Sequence, residues 1–389
     1  MNKNYIEFLK ESPMFQLSLT SKELFHSNFI SWVISNYKKE HSRIFSKFLP
    51  GDKKQLITGV NREEKNKDIV IYFQDELGNK SSIIIENKVK SIPVYEQLRE
   101  YTTDNPSEHY ILLSLTKPTF LADNKKIQIH ETNRVWDYLS YYDLAKMFEE
   151  TLPEIGRNNK YHELIVSDYI QLIKILDNIT NDIYEQTKGG MYDFYKKHNE
   201  IISLLKEVRL HDFYLKLSHE IIASELHKKI QTEIPNVNLV ASKNWKKGKV
   251  NELFAGSGFT RGSGISEVKY VIAEKEETPV ILGVQIQDVQ FRLFIESKKG
   301  FAKKFAQKLF DEGIWFNFSY LSNSGIKTSK EYPQTGGSNK IFNTYSNEFL
   351  YRSVKLDRCK ISDLLTIILY YVHVIHNDKE KFLKIIDEL

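Results

Sequence analysis

Two short apolar runs, Asp68-Ile69-Val70-Ile71-Tyr72-Phe73 and Ser82-Ile83-Ile84-Ile85, flank the polar stretch from Gln74 to Lys80, which carries Gly78-Asn79. β-Branched and aromatic residues on both sides of such a turn signal predict an antiparallel hairpin. A centre between Leu77 and Gly78 makes opposed residue numbers sum to about 155, which sets Asp68 opposite positions 86 to 89. Side chains alternate along a strand, so Glu86 and Lys88 leave one face and Asn87 the other. One face of the hairpin then carries two carboxylates and an ammonium.

The Glu-x-Lys spacing alone says little, because it occurs four times in the chain. A charged residue closing an apolar strand commonly marks only its emergence into water. Glu63-Glu64-Lys65 sits in a polar run with no strand directly before it, and Glu267-Val268-Lys269 has no carboxylate shortly upstream. Glu296-Ser297-Lys298 ends the run Phe291 to Ile295 with Asp288 upstream. Eight residues along one strand would hold those two acids about 26 Å apart, too far to share an ion. Only Asp68, Glu86 and Lys88 have a turn placed to fold the acids together.

Hard divalent cations such as Mg²⁺ prefer carboxylate, carbonyl and water oxygens, and one or two carboxylates plus a substrate phosphate usually hold them. Asp68 and Glu86 supply the carboxylates, and the backbone carbonyl of Asn87 could join them. Mn²⁺ could substitute for Mg²⁺. A bound cation acidifies its water and stabilises a leaving oxygen at phosphorus. Lys88 would orient the attacking water and offset charge building on phosphorus.

The order helix, hairpin with Asp…Glu-x-Lys, helix and strand resembles the PD-(D/E)XK nuclease superfamily over about residues 15 to 150. It is most similar to the bacterial branch with Glu-x-x-His in the opening helix, here Glu23-Leu24-Phe25-His26-Ser27. The helix after the hairpin carries Gln97-Leu98-Arg99-Glu100-Tyr101, and position 67 is Lys in place of the proline of the family name. The resemblance implies an α/β restriction-endonuclease-like core, a mixed sheet flanked by helices. It further implies a Mg²⁺-dependent endonuclease or related hydrolase acting on phosphodiester bonds, in DNA ahead of RNA, for bacterial defence or DNA processing. Many such relatives cut duplexes as homodimers.

Each accessory residue has a second reading. Thr20-Ser21-Lys22-Glu23 fits a capping box, with Glu23 reaching back to its helix cap, whereas the resemblance implies a metal-side or water-mediated role. His26 falls near the face of Glu23 and is either a satisfied helix residue or a phosphate or catalytic contact. Gln97 and Tyr101, four apart, share a helix face that points to the active site or to solvent.

A chain of 389 residues, 41% hydrophobic, suggests two domains. We expect a nuclease core over 1–155, a helical connecting region over 156–232 and an α+β domain over 233–389. One cysteine, Cys359, excludes an internal disulfide framework and suits a reducing cytoplasm. Met1 to Ser12 holds no apolar leader core, and no run approaches the roughly 18 apolar residues of a membrane helix. A soluble, unexported protein without a membrane partner is expected. The net charge of +4 is compatible with a polyanionic partner without requiring one.

Periodicity predicts an opening helix from Ser21 to Tyr37, a first strand at Leu56 to Val60, a helix over 94–103 and a buried strand from His109 to Leu115. A further helix from Tyr142 to Glu150 closes the core. Trp136, Tyr138, Tyr141 and Tyr142 read as packing aromatics. Helices follow from Tyr161 to Ile183 and from Tyr192 to Gln231, interrupted at Gly189-Gly190. Beyond Pro235 strands dominate. There Lys243, Lys246, Lys247 and Lys249 flank Trp245, either a solvated turn or a nucleic-acid contact pairing phosphate-neutralising charge with a stacking ring. Gly256 to Gly264 reads as a mobile loop.

Metal-dependent nuclease is thus the expected function. The alternatives are a non-catalytic nucleic-acid-binding relative and a protein-interaction scaffold with a solvated hairpin.

Overall fold

Three strands, β1 (Gln55–Glu64), β2 (Lys67–Asp75) and β3 (Lys80–Lys88), form an antiparallel meander built on the β-branched runs. The structure is a computed structural model, and it describes residues 2–21, 23–51, 55–189, 191–192, 200–240, 248–298, 300–333, 340–345, 348–357 and 359–389. Ile69 pairs with Ile85, within one residue of the expected register. Asp75 Oδ1 accepts the backbone N–H groups of Leu77 and Asn79 and closes the turn, in which Gly78 takes a φ of +87°. β1 runs past the expected Val60 to Glu64. Lys65 and Asn66, at φ 52° and 66°, make a tight turn straight into β2. Glu63 and Glu64 are therefore the last residues of a strand, contrary to the polar run expected there.

β4 (Glu108–Ser114) and β6 (Arg134–Ser140) extend this sheet in parallel beside β3, and β5 (Lys126–Ile129) closes the far edge antiparallel. The order is β1-β2-β3-β4-β6-β5. The accompanying helices are α1 (Lys3–Glu11), α2 (Pro13–Ser21), α3 (Glu23–Asn36), α4 (Lys38–Phe45), α5 (Tyr95–Tyr101), α6 (Tyr141–Asn158) and α7 (Lys160–Gly189). Parallel strands need a crossover between them, and α5 lies within the one joining β3 to β4.

The sheet is buried on both faces. On one, Val70, Ile84, Tyr110, Leu112 and Trp136 pack with Leu98 of α5. On the other, Ile69, Ile71, Ile83, Ile85, Ile111 and Leu113 are each at most 1% exposed. Full burial of one such side chain contributes about 1.5–3 kcal/mol. α3 lies against β1, β2 and β3, and α4 against β1. The buried stripe of α3 is Phe29, Ile30, Val33 and Ile34, while Leu24 is exposed. Trp136, Tyr138 and Tyr141 are buried, but Tyr142 is exposed under the ammonium of Lys146.

The chain divides into two compact units, Met1–Asp182 with Glu207–Arg209 and Ile183–Lys206 with Leu210–Leu389. The helical stretch expected as a connector over 156–232 is shared between them. In the second unit, β7 (Met191–Tyr192) precedes α8 (Glu200–Glu207) and α9 (His211–Glu233). Strands β8 (Asn238–Val240), β9 (Glu252–Thr260), β10 (Ser263–Lys275), β11 (Thr278–Gln287) and β12 (Gln290–Glu296) follow, then α10 (Phe301–Asp311) and α11 (Ser319–Asn323). The chain finishes with β13 (Asn343–Thr344), β14 (Phe349–Lys355), β15 (Cys359–Lys360), α12 (Ile361–Asn377) and α13 (Lys379–Glu388). The sheet order is β13-β14-β12-β11-β10-β9-β8, antiparallel except for the parallel β8–β9 pair. Both large sheets are thus mixed and flanked by helices.

The segment from Gly256 to Gly264, expected as a mobile loop, is instead the β9–β10 hairpin. Arg261 and Gly262, at φ 48° and 76°, form its turn. Gly264 is required by packing, because a Cβ there would overlap the His219 ring of α9. Among the described residues no helix is long and apolar enough to cross a membrane.

Candidate active site

The hairpin register carries Asp68 and Glu86 to adjacent positions at the ends of β2 and β3, one step beyond the Ile69–Ile85 pair. Asp68 Oδ2 accepts the backbone N–H of Asn87 at 2.7 Å. Glu86 Oε1 accepts from Lys88 Nζ at 2.7 Å and from Gln97 Nε2 at 2.9 Å. Gln97 Nε2 also lies 3.1 Å from the hydroxyl of Tyr101. Gln97 and Tyr101 thus share a face of α5, and Gln97 points at the site rather than into solvent. The Glu86 and Lys88 side chains are only 3% and 11% exposed.

Enclosure sets the electrostatics. Burial pushes the Glu86 carboxyl up to about 7, and the charges of Asp68 and Glu23 add to the rise while Lys88 opposes it. Burial likewise raises Asp68, against the Asn87 N–H and the Lys88 charge. Burial alone would lower the Lys88 ammonium, but Glu86, Glu23 and Asp68 together raise it. Three carboxylates and one ammonium therefore act on one another in a poorly solvated corner.

Asn87 faces the opposite way, as alternation requires. Its Nδ2 donates to Ser27 Oγ at 2.9 Å and to the backbone carbonyl of Glu23 at 3.2 Å, and its Oδ1 accepts from the Tyr141 hydroxyl at 2.5 Å. The side chain is fully buried. β3 is in this way pinned to α3 and to the start of α6, while its own backbone N–H holds Asp68.

Glu23 opens α3, and its Oε1 accepts the backbone N–H of Ser91, just beyond β3, at 3.0 Å. Thr20 lies in α2, which ends at Ser21 before α3 begins. The capping box is therefore not the geometry found, and Glu23 belongs to the carboxylate group instead.

His26 does not reach outward. It is 2% exposed, its Nδ1 lies 3.0 Å from the Tyr169 hydroxyl, and its ring meets Tyr141 edge-on. Burial, with help from the Lys90 charge, lowers it to about 3, so it is neutral at physiological pH. Of its two readings, this geometry is that of the satisfied helix residue, with Tyr141 of α6 and Tyr169 of α7 against that face of α3. Lys243, Trp245, Lys246 and Lys247 lie outside the described residues. Lys249 is exposed, and its backbone N–H donates to Glu252.

The residues fit a hard divalent cation. Among the described residues, Asp68 Oδ1 and Glu86 Oε2 accept no hydrogen bond, so each acid keeps one oxygen for a ligand. No three His, Cys, Asp or Glu side chains form a self-contained metal-ligand group among the described residues. An ion here would rest on Asp68, Glu86, a backbone carbonyl and oxygens of water or substrate, the donor set Mg²⁺ commonly takes. Sequence reasoning missed Ser27, Ser91 and Tyr141, which enter only through tertiary packing. The one available signal was the alternation that turns Asn87 away from Glu86 and Lys88.

No protein-family model, curated protein or solved structure matches this chain.

Proposed function

We propose that the first unit is a restriction-endonuclease-like, metal-dependent nuclease that hydrolyses phosphodiester bonds, in DNA ahead of RNA. The observation that most supports this reading is the meeting of Asp68 and Glu86 across one hairpin, with Lys88 Nζ 2.7 Å from Glu86 Oε1. Mg²⁺, or Mn²⁺ in its place, would be held by Asp68, Glu86 and the Asn87 carbonyl. Bound there, the cation supplies charge neutralisation at phosphorus and a more acidic water.

The chain's own residues do the rest. Asn87 N–H keeps Asp68 turned toward Glu86, and Gln97 holds Glu86 Oε1, leaving Oε2 as the ligand atom. Lys88 keeps its proton and places a fixed positive charge where the pentacovalent phosphorus gains negative charge. A carboxyl near 7 lets Glu86 lose its proton to water when a cation is bound.

The low exposure of Glu86 and Lys88 favours a second reading, a structural ion pair in a non-catalytic relative. Incubating the full chain with plasmid, linear duplex, single-stranded DNA and RNA, each with Mg²⁺, Mn²⁺ or EDTA, separates the two. Cleavage that needs metal supports the nuclease; intact substrates under every condition refute it.

A further inference from the structure

The two faces of the large sheet in the second unit differ in kind. Val284, Ile286, Phe291, Leu293 and Val354 join an apolar core with Leu226 of α9, Phe305 of α10 and Ile368 of α12. Alternation turns Gln285, Gln287, Gln290, Arg292 and Lys355 to the other face. The register groups them at one end of β11, β12 and β14, where Gln285 pairs with Arg292, Gln287 with Gln290, and Gln290 with Lys355.

Arg292, half-buried, is held there by amides. Its Nη1 donates to Gln285 Oε1 at 2.8 Å and to Gln287 Oε1, while its Nε and Nη2 both donate to Gln290 Oε1, at 2.9 and 2.7 Å. The guanidinium lies 4.5 Å from the centre of the Tyr351 ring. The acids of this face are spent elsewhere. Lys269 takes Glu267 at 3.8 Å and Glu296 at 2.9 Å, and Glu267 also accepts from Gln285 Nε2 at 2.9 Å. Among the described residues neither Arg292 nor Lys355 forms an ion pair, even with Asp288 of the adjoining turn. Burial meanwhile works against the Arg292 charge and lowers it from the ordinary guanidinium value. A cation kept in such a place without a counter-charge is costly unless an anion joins it.

The donors left over define that anion. A guanidinium only donates, so each amide must turn its oxygen to Arg292 and its NH₂ away. The Nε2 groups of Gln287 and Gln290 have no hydrogen-bond partner among the described residues, and Lys355 is exposed. Arg292 Nη2 keeps one N–H, yet no two-pronged edge of the guanidinium is free, because Gln290 fills one and Nη1 has given both its protons away. The two coplanar oxygens of a carboxylate favour such an edge. A phosphate offers more acceptor oxygens to single donors approaching from different sides. We propose that Arg292, Gln287, Gln290 and Lys355 form a binding site for a phosphoryl group, either free phosphate or the phosphate of a nucleotide or nucleic-acid strand. The site lies wholly in the second unit and stands apart from the nuclease reading.

Isothermal titration calorimetry of the full chain, in EDTA and at constant ionic strength, reads this site without metal-bound phosphate. Orthophosphate should bind at one site per chain, at least about tenfold more tightly than acetate. Lys355→Ala, at an exposed position, should fold and weaken phosphate binding about fivefold or more. Arg292→Lys keeps the charge but loses the held guanidinium, and should weaken it about tenfold. Where that braced position fails to fold, Lys355→Ala still decides. Absence of saturable phosphate binding, an affinity unchanged in Lys355→Ala, or equal affinity for acetate overturns the proposal. A nucleoside 5′-monophosphate and an oligodeoxynucleotide without terminal phosphates, titrated into both proteins, tell the sources apart. Oligonucleotide binding that depends on Lys355 assigns the site to the phosphodiesters of a strand. Dependence on Lys355 for orthophosphate and the monophosphate alone assigns it to free or terminal phosphate.

Discussion

The backbone N–H of Asn87 donates to Asp68 Oδ2 at 2.7 Å across the β2–β3 hairpin, so a residue whose side chain faces α3 orients an acid on the other face of the sheet. Anchoring and chemistry are thereby separated within three consecutive residues. The side chain of Asn87 ties β3 down, its backbone aims Asp68, and Glu86 and Lys88 face the other way, toward α5.

Asp68→Asn and Glu86→Gln keep the shape of each side chain while removing a ligand charge. Both variants should fold, and both should lose metal-dependent cleavage by at least about 10²-fold, a loss comparable with removing one preorganised transition-state contact. Gel assays of purified variants with confirmed circular dichroism decide this. Wild-type turnover in either would sink the assignment.

The pH dependence of the metal-free protein follows from Glu86. Its folded carboxyl is raised from 4.5 to about 7, so its stabilising contribution is complete below the unfolded value and is lost as pH rises through the folded one. Stability should therefore fall between about pH 4.5 and 7, on the order of 3 kcal/mol from this group. Glu86→Gln should flatten that part of the Tm–pH curve. Because protons and cation compete for the same oxygens, Mg²⁺ should raise Tm more at pH 8 than at pH 5. Calorimetric scans of both proteins across that range, with and without Mg²⁺, test both statements.

Lys88→Ala should slow cleavage about 10²-fold or more with metal binding largely retained. Lys88→Arg should rescue poorly, since a planar guanidinium does not fit the enclosed place of a compact ammonium 2.7 Å from Glu86. Full activity in both variants would make Lys88 a structural cation.

His26→Ala tests the packing role of that residue. It empties a buried position and leaves the Tyr169 hydroxyl without its partner, and should cost about 2 kcal/mol or more of stability. KM for any substrate should hold at temperatures where the variant is folded. A raised KM with unchanged Tm would return His26 to the substrate-binding surface.

Much of the candidate site was legible because it is local. Asp68, Glu86 and Lys88 lie within one hairpin, and a turn signal with strand alternation suffices to bring them together. The Gln97 contact follows from helical spacing once α5 is placed beside β3. Tyr141 is fifty-four residues from the Asn87 it bonds, and no local pattern announces that contact. The sequence left two readings of His26 open for the same reason, since only α6 and α7 decide that its face is interior. In the second unit, glycine density between Gly256 and Gly264 suggested mobility. Gly256 and Gly264 instead let the hairpin pass close to the Phe254 and His219 rings. β5 alternates cleanly but over four residues only, too short a run to stand out, whereas β6, paired in parallel with β4, lacks clean alternation.

The register of β3 carries a further consequence. Asn87 answers to α3 and α6 on one side, while Glu86 and Lys88 answer to α5 on the other. Sliding this strand by a single residue would exchange the two sets, sending the anchor toward α5 and the acids into the apolar layer against α3. No graded series of half-built sites lies between those arrangements. Change by insertion or deletion is therefore confined to the far end of the hairpin, around Glu76 to Asn79, where the chain can lengthen or shorten while the helices hold the other end in place.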